Sequence, residues 1–185
     1  VIDLGRHAAW HDELPRVIRP DLVLTEHGVC ISELDSIPGG IGLTAWLNQT
    51  YATLGNDVIG GATGMIDGFA AAFPDEDILI SRESADYQAE MEWLAAQLNA
   101  HRTNRPHYVI PTHAWQKNQE PGARNQEPRS LYRFFELFDL ENVEHSAELL
   151  QMAVAGQAHI TPPLKAFLEE KLWLALFWVP QLEDW

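Results

Sequence analysis

The sequence predicts a mixed α/β protein in which an acidic β-hairpin is followed by a small parallel α/β layer. Two β-rich runs, residues 21–25 and 29–33, flank the turn-forming Glu26-His27-Gly28. Two short apolar runs, residues 77–81 and 107–110, flank a segment of helical periodicity over residues 87–101. A strand, helix, strand order at that spacing calls for a right-handed parallel crossover, which places a helix against a sheet.

The individual elements follow from local chemistry. Three loop residues ending in glycine match a common hairpin connection, so Thr25 is expected opposite Val29. Pro38-Gly39-Gly40 breaks the chain before a helix over residues 43–54, with Leu43, Trp46, Leu47 and Tyr51 along its inward side. Gly60-Gly61-Ala62-Thr63-Gly64 reads as a hinge into a second helix ending near Phe73-Pro74, and lacks the Gly-Lys-Ser/Thr ending of a phosphate loop. The helix over 87–101 turns Met91, Leu94, Ala95 and Leu98 inward. Residues 114–129, polar and with two prolines, read as a surface loop. An aromatic strand over 131–140, a helix over 144–155 closed by Gly156, and a helix over 164–179 opened by Pro162-Pro163 complete the reading.

Composition excludes several classes. With 27 acidic and 12 basic residues the formal net charge is −15, which repels nucleic-acid phosphates and anionic membranes. No apolar run reaches the roughly 20 residues that span a bilayer. A single cysteine, Cys30, rules out an intrachain disulfide and fits a reducing cytoplasm. Strand alternation points Cys30 to the apolar face as a small hydrophobe. The chain begins Val1-Ile2-Asp3 and stops at Asp184-Trp185 just after an apolar segment, so both ends read as cuts and the remainder of a parent polypeptide is an expected partner.

Chemistry concentrates on the hairpin. Counting outward from the turn sets Val23 opposite Ile31, Asp21 opposite Glu33 and Arg19 opposite Asp35, all on one face because side chains alternate. Leu22, Leu24, Cys30 and Leu34 occupy the other face, which is expected to pack on the core. Converging carboxylates destabilise a ladder unless a cation compensates them, and Mg²⁺, an oxygen-seeking ion that uses one or two carboxylates with substrate phosphates, is the natural candidate. The plainer alternative is a surface ion pair between Arg19 and Glu33.

Arg19-x-Asp21, followed after strand, turn and strand by Glu33-x-Asp35-Ser36, resembles the paired motif of the glutathionylspermidine synthase family, a circularly permuted ATP-grasp fold. The resemblance continues through Pro38-Gly39-Gly40, Glu83-Ser84-Ala85-Asp86-Tyr87, Tyr132-Arg133-Phe134-Phe135-Glu136 and Pro162-Pro163 to Lys171, and so covers nearly all of the chain. It implies an ATP- and Mg²⁺-dependent ligase joining a small-molecule carboxylate to an amine through an acyl phosphate. Arg19 would assist the transferring phosphate, Asp21, Glu33 and Asp35 would hold Mg²⁺, and Lys171 would contact ATP. Asp35 stands where the family has asparagine, which keeps an oxygen ligand and adds charge. Ser36 and Arg133 become candidate substrate contacts, against turn initiation for Ser36 and a structural ion pair for Arg133; Lys171 could equally be a solvated helix residue. The implied organisation is a catalytic hairpin and helix over 1–60, a pre-ATP-grasp-like α/β segment over 61–130, and a return to the ATP-grasp core over 131–185. A non-catalytic binding or scaffold domain that keeps the fold is the alternative, and the isolated chain is expected to be inactive, binding metal weakly and no nucleotide.

Two further signals carry little weight. His7 and His11, four apart, lack a third zinc ligand at a fixed spacing. Trp173 and Trp178 are expected in the core or against the rest of the parent chain.

Overall fold

The computed structural model describes residues 7–101, 105–115 and 128–182, so most of the expected 114–129 loop lies outside the described residues. It has two sheets. Strands β1 (Arg19–Thr25) and β2 (Gly28–Asp35) form an antiparallel ribbon. Strands β3 (Asp77–Ile80), β4 (Val109–Pro111), β5 (Arg129–Phe134) and β6 (Ala158–Thr161) form a parallel sheet in the order β4-β3-β5-β6. The helices are α1 (Ile41–Thr53), α2 (Gly64–Ala72), α3 (Gln88–His101) and α4 (Ser146–Val154). The sheet therefore runs across residue 130, where the sequence suggested a division between segments.

Both faces of the parallel sheet are covered, which is why its strands are apolar without alternation. All four residues of β3 are buried. On one face Ile78, Ile80, Tyr132 and Phe134 meet Ile41 and Ala45 of α1, Ile66 and Phe69 of α2, and Met91, Leu94 and Leu98 of α3. On the other, Leu79, Leu131 and Ile160 meet Leu149, Met152 and Ala153 of α4. Burying each large aliphatic side chain contributes about 1.5–3 kcal/mol, so these two layers dominate the stability of the fold.

Polar groups hold the layers in place. Asp77 accepts from Arg105 (2.8 Å) and from the Tyr108 amide (3.1 Å), and burial raises its carboxyl above the ordinary range. Gly40, at φ 80°, has no side chain to cap α1, and Glu90 of α3 does so instead. Its two oxygens accept from the amides of Gly40 (2.8 Å) and Leu43 (2.9 Å). A Cβ on Gly42 would collide with the Glu90 carbonyl, so glycine is what permits this close approach of α1 and α3.

Several expectations are corrected. The hairpin turn is Glu26-His27 alone, with Thr25 opposite Gly28, and a register shift between Asp21 and Leu22 absorbs the extra residue. Leu22, Val23, Leu24, Val29 and Ile31 are exposed and Cys30 is exposed too, so the ribbon projects from the core instead of packing on it. In α1 the buried residues are Ile41, Gly42 and Ala45, whereas Leu43, Trp46 and Tyr51 face solvent. The aromatic strand stops at Phe134, and a 3-10 turn spans Leu137–Asp139. Beyond β6, an element absent from the sequence reading, the expected 164–179 helix is a series of 3-10 turns, Ala166–Leu168, Lys171–Trp178 and Pro180–Leu182. Trp178 is 88% exposed and so is not in the core, and the side chain of Trp173 lies outside the described residues. Among the described residues no helix is long and apolar enough to cross a membrane.

Candidate functional site

The root of the ribbon gathers five charged side chains. The two register changes offset each other, so Asp21 faces Glu33 and Arg19 faces Asp35, as the counting predicted. The Arg19 guanidinium donates to Asp21 Oδ1 (2.9 Å), Asp35 Oδ2 (3.3 Å) and the Gly39 carbonyl (2.7 Å), the last bond docking the ribbon on the 36–40 loop. Asp35 Oδ1 accepts from the Ile37 amide at 2.8 Å. Lys171, 138 residues beyond Glu33, places its Nζ 2.8 Å from Glu33 Oε1. That contact, with Asp35 and Asp21 nearby, holds the Lys171 ammonium above its ordinary pKa.

Three carboxylates against two cations leave the cluster acidic, and its donors are all oxygens, the chemistry Mg²⁺ prefers. Yet no group of three or more His, Cys, Asp or Glu side chains among the described residues converges on a point that could hold a metal ion. The carboxylates turn to Arg19 and Lys171 instead. The set fits Mg²⁺ as one or two carboxylate ligands, the number used where phosphates complete the shell.

Beside this cluster lies a cleft of about 240 Å³ lined by Arg19, Asp35, Ser81, Glu83, Tyr87 and Glu136, among others. Its position follows from topology. The β3-α3-β4 connection runs to one side of the sheet and β5-α4-β6 to the other, with α3 and α4 on opposite faces. The neighbours β3 and β5 therefore form a switch point, and the chain parting at their carboxyl ends opens a crevice. Ser81, Glu83 and Ser84 follow β3, and Phe135, Glu136 and Asp139 follow β5. Burial, then the neighbouring Glu169 and Asp35 carboxylates, push Glu136 up to about 7.

The remaining candidates sit deeper. Arg133 is wholly buried and donates to the carbonyls of Pro162 (2.9 Å), Phe135 (2.7 Å) and Pro163 (3.1 Å) and to Glu169 Oε1 (2.5 Å). Glu169 Oε2 accepts from the Leu137 amide at 2.6 Å. Arg133 thus fastens the segment after β6 to the end of β5 and offers a substrate no exposed surface. Ser36 is buried, and its hydroxyl has no hydrogen-bond partner among the described residues. His7 stacks on Trp10 and His11 pairs with Asp12.

No protein-family model matches the chain, and neither a curated protein nor a solved structure does.

Sequence reasoning did not single out Glu136, Glu83, Asp139 or Glu169. The signal for Glu136 was its place immediately after a strand of a parallel sheet, where ligand-facing residues collect.

Proposed function

We propose that the ribbon root and the adjoining cleft form the catalytic centre of a permuted ATP-grasp ligase that uses Mg²⁺ and ATP to join a carboxylate to an amine. The observation carrying this reading is the meeting of Lys171 with the Arg19-Asp21-Glu33-Asp35 cluster across 138 residues of sequence. Such a set is complementary to a metal-bound phosphate chain: two cations suit the phosphate oxygens, and the carboxylates they would leave suit the metal.

Arg19 would bind and orient the phosphoryl group in transfer and offset the charge developing on it, and Lys171 would hold a phosphate oxygen. Asp21 and Glu33, with Asp35 beside them, would hold Mg²⁺, which supplies charge neutralisation and alignment of phosphate oxygens. The acyl phosphate formed from the first substrate is then open to amine attack. The acidic cleft favours a cationic amine, and Glu136, held near neutrality, is suited to accept its proton. Ser84, which lines the cleft with its hydroxyl accepting from the buried Ser81 (3.2 Å), is placed to hydrogen-bond a substrate.

The test is Mg²⁺-dependent ADP release by the complete enzyme, which Glu33→Gln is expected to abolish. Release at an unchanged rate in that variant would refute the assignment. The second reading, a domain that keeps the fold without the reaction, draws on the internal pairing of the cluster and on the absence of a three-ligand group among the described residues. It predicts no ADP release from either protein.

A further inference from the structure

The outward face of α1 carries an apolar stripe that the fold leaves uncovered. Leu43, Trp46, Tyr51 and the capping Leu54 are 53%, 47%, 51% and 71% exposed, and Leu47 and Thr50 lie half-buried between them. Their helical spacing puts all six on one side of the helix. The helix cannot roll to bury them. Ile41 and Ala45 are fixed in the core, Gly42 lies against the Glu90 backbone, and the Glu90 carboxylate caps the first turn. A contiguous exposed apolar face of this kind marks an interaction surface.

Charge and symmetry select the occupant. Residues 36–56 hold no Asp, Glu, Lys or Arg, although the chain has a net charge of −15. A basic partner would find no carboxylate to pair with along this segment, whereas a second copy, itself strongly acidic, can come close only where neither surface is charged. The stripe is also self-complementary. Leu43 and Leu54 stand equally far from a centre between Asn48 and Gln49, and so do Trp46 and Tyr51, and Leu47 and Thr50. A two-fold axis at that centre, with the helices antiparallel, sets Leu43 against Leu54 of a second copy and brings the two Thr50 side chains near each other, with the aromatic rings along the flanks. The Thr50 hydroxyl donates to the Trp46 carbonyl within its own helix at 2.9 Å, so covering it strands no donor.

We propose that the outward face of α1 is a homodimer interface, in which two copies of this chain pair antiparallel across the Leu43–Leu54 stripe. The pairing is independent of the nucleotide reading of the ribbon. Two half-exposed aromatics of about 150–250 Å² each, together with the two leucines, leave on the order of 400 Å² per copy, about half of what each partner brings to a standard interface. The dimer is therefore weak and reversible.

Sedimentation equilibrium of the full-length protein tests the pairing. It is expected to show a reversible monomer–dimer exchange that tightens about threefold between about 50 and about 500 mM NaCl, because salt screens the repulsion between two acidic chains. Trp46→Glu should weaken the dimer roughly tenfold or more by pressing a charge into an apolar contact, whereas Val29→Glu on the exposed ribbon should leave it unchanged. Thr50→Glu and Thr50→Lys should each weaken it, and their equimolar mixture should recover a heterodimer, which a folding defect in either variant would not produce. A monomer at every concentration up to roughly 1 mM overturns the proposal, whether another part of the parent polypeptide or a different partner covers the stripe. So does a dimer untouched by Trp46→Glu, one that loosens with salt, or a Thr50 mixture that fails to re-pair.

Discussion

Replacing Arg133 with Met should be the most damaging single change in the β5 region. The side chain is wholly buried and serves three carbonyls and one carboxylate. Methionine fills much of the volume but leaves Glu169, with a side chain only 6% exposed, as a buried charge without its counter-ion. Breaking a buried pair from one side costs about 3–5 kcal/mol, because the survivor has lost water and partner together. For a chain of this size that corresponds to a fall in Tm of about 6–20 °C. Thermal unfolding followed by circular dichroism measures it. Arg133→Met combined with Glu169→Gln should lose less than the two single changes added together, since the second substitution removes the stranded charge. A fall below about 2 °C in the single variant, or strict additivity in the pair, would refute a structural role for Arg133.

Two further outcomes follow from packing and titration. Glu136 titrates at about 7 in the fold against 4.5 ordinarily, so the folded state binds its proton more tightly than the unfolded state, and its stability contribution is lost as pH rises from 4.5 through 7. Glu136→Gln should therefore stabilise the protein above about pH 8 and have little effect below about pH 4.5. Urea unfolding at both pH values checks this, and a stabilisation independent of pH would contradict it. Gly42→Ala should separate α1 from α3 and cost about 1–3 kcal/mol, as overpacking does, which an unchanged Tm would disprove.

Much of this architecture is legible from residue order, for identifiable reasons. Residues 77–80 read as a strand because both faces of the sheet are covered and all four positions are buried. The helix over 88–101 was announced by Met91, Leu94 and Leu98, which do face the core. Periodicity misled at α1, where a helix held by a foreign glutamate cap and a glycine contact buries its small residues and exposes Leu43, Trp46 and Tyr51. It misled again after Pro163, where a helix-like apolar pattern is overridden by the tertiary ties of Lys165 and Glu169 and folds as 3-10 turns. Strand β6 escaped notice because four residues with a histidine and a threonine leave too short a pattern. In the candidate site, the root register was correct because the shorter turn and the shift at Asp21/Leu22 cancel. The contact between Lys171 and Glu33 was not read from the sequence, since no local rule links residues so far apart. The cleft depends on strand order, which short-range patterns do not specify.

The central claim is that the ribbon root binds a phosphate chain together with its metal. Isothermal titration of ATP into the full-length protein, with and without Mg²⁺, tests it most directly. The account predicts binding that depends on Mg²⁺ and weakens at least tenfold in both Glu33→Gln and Arg19→Met, about 1.4 kcal/mol or more for each. Equal ATP affinity with and without Mg²⁺, or affinity untouched by either substitution, would contradict it.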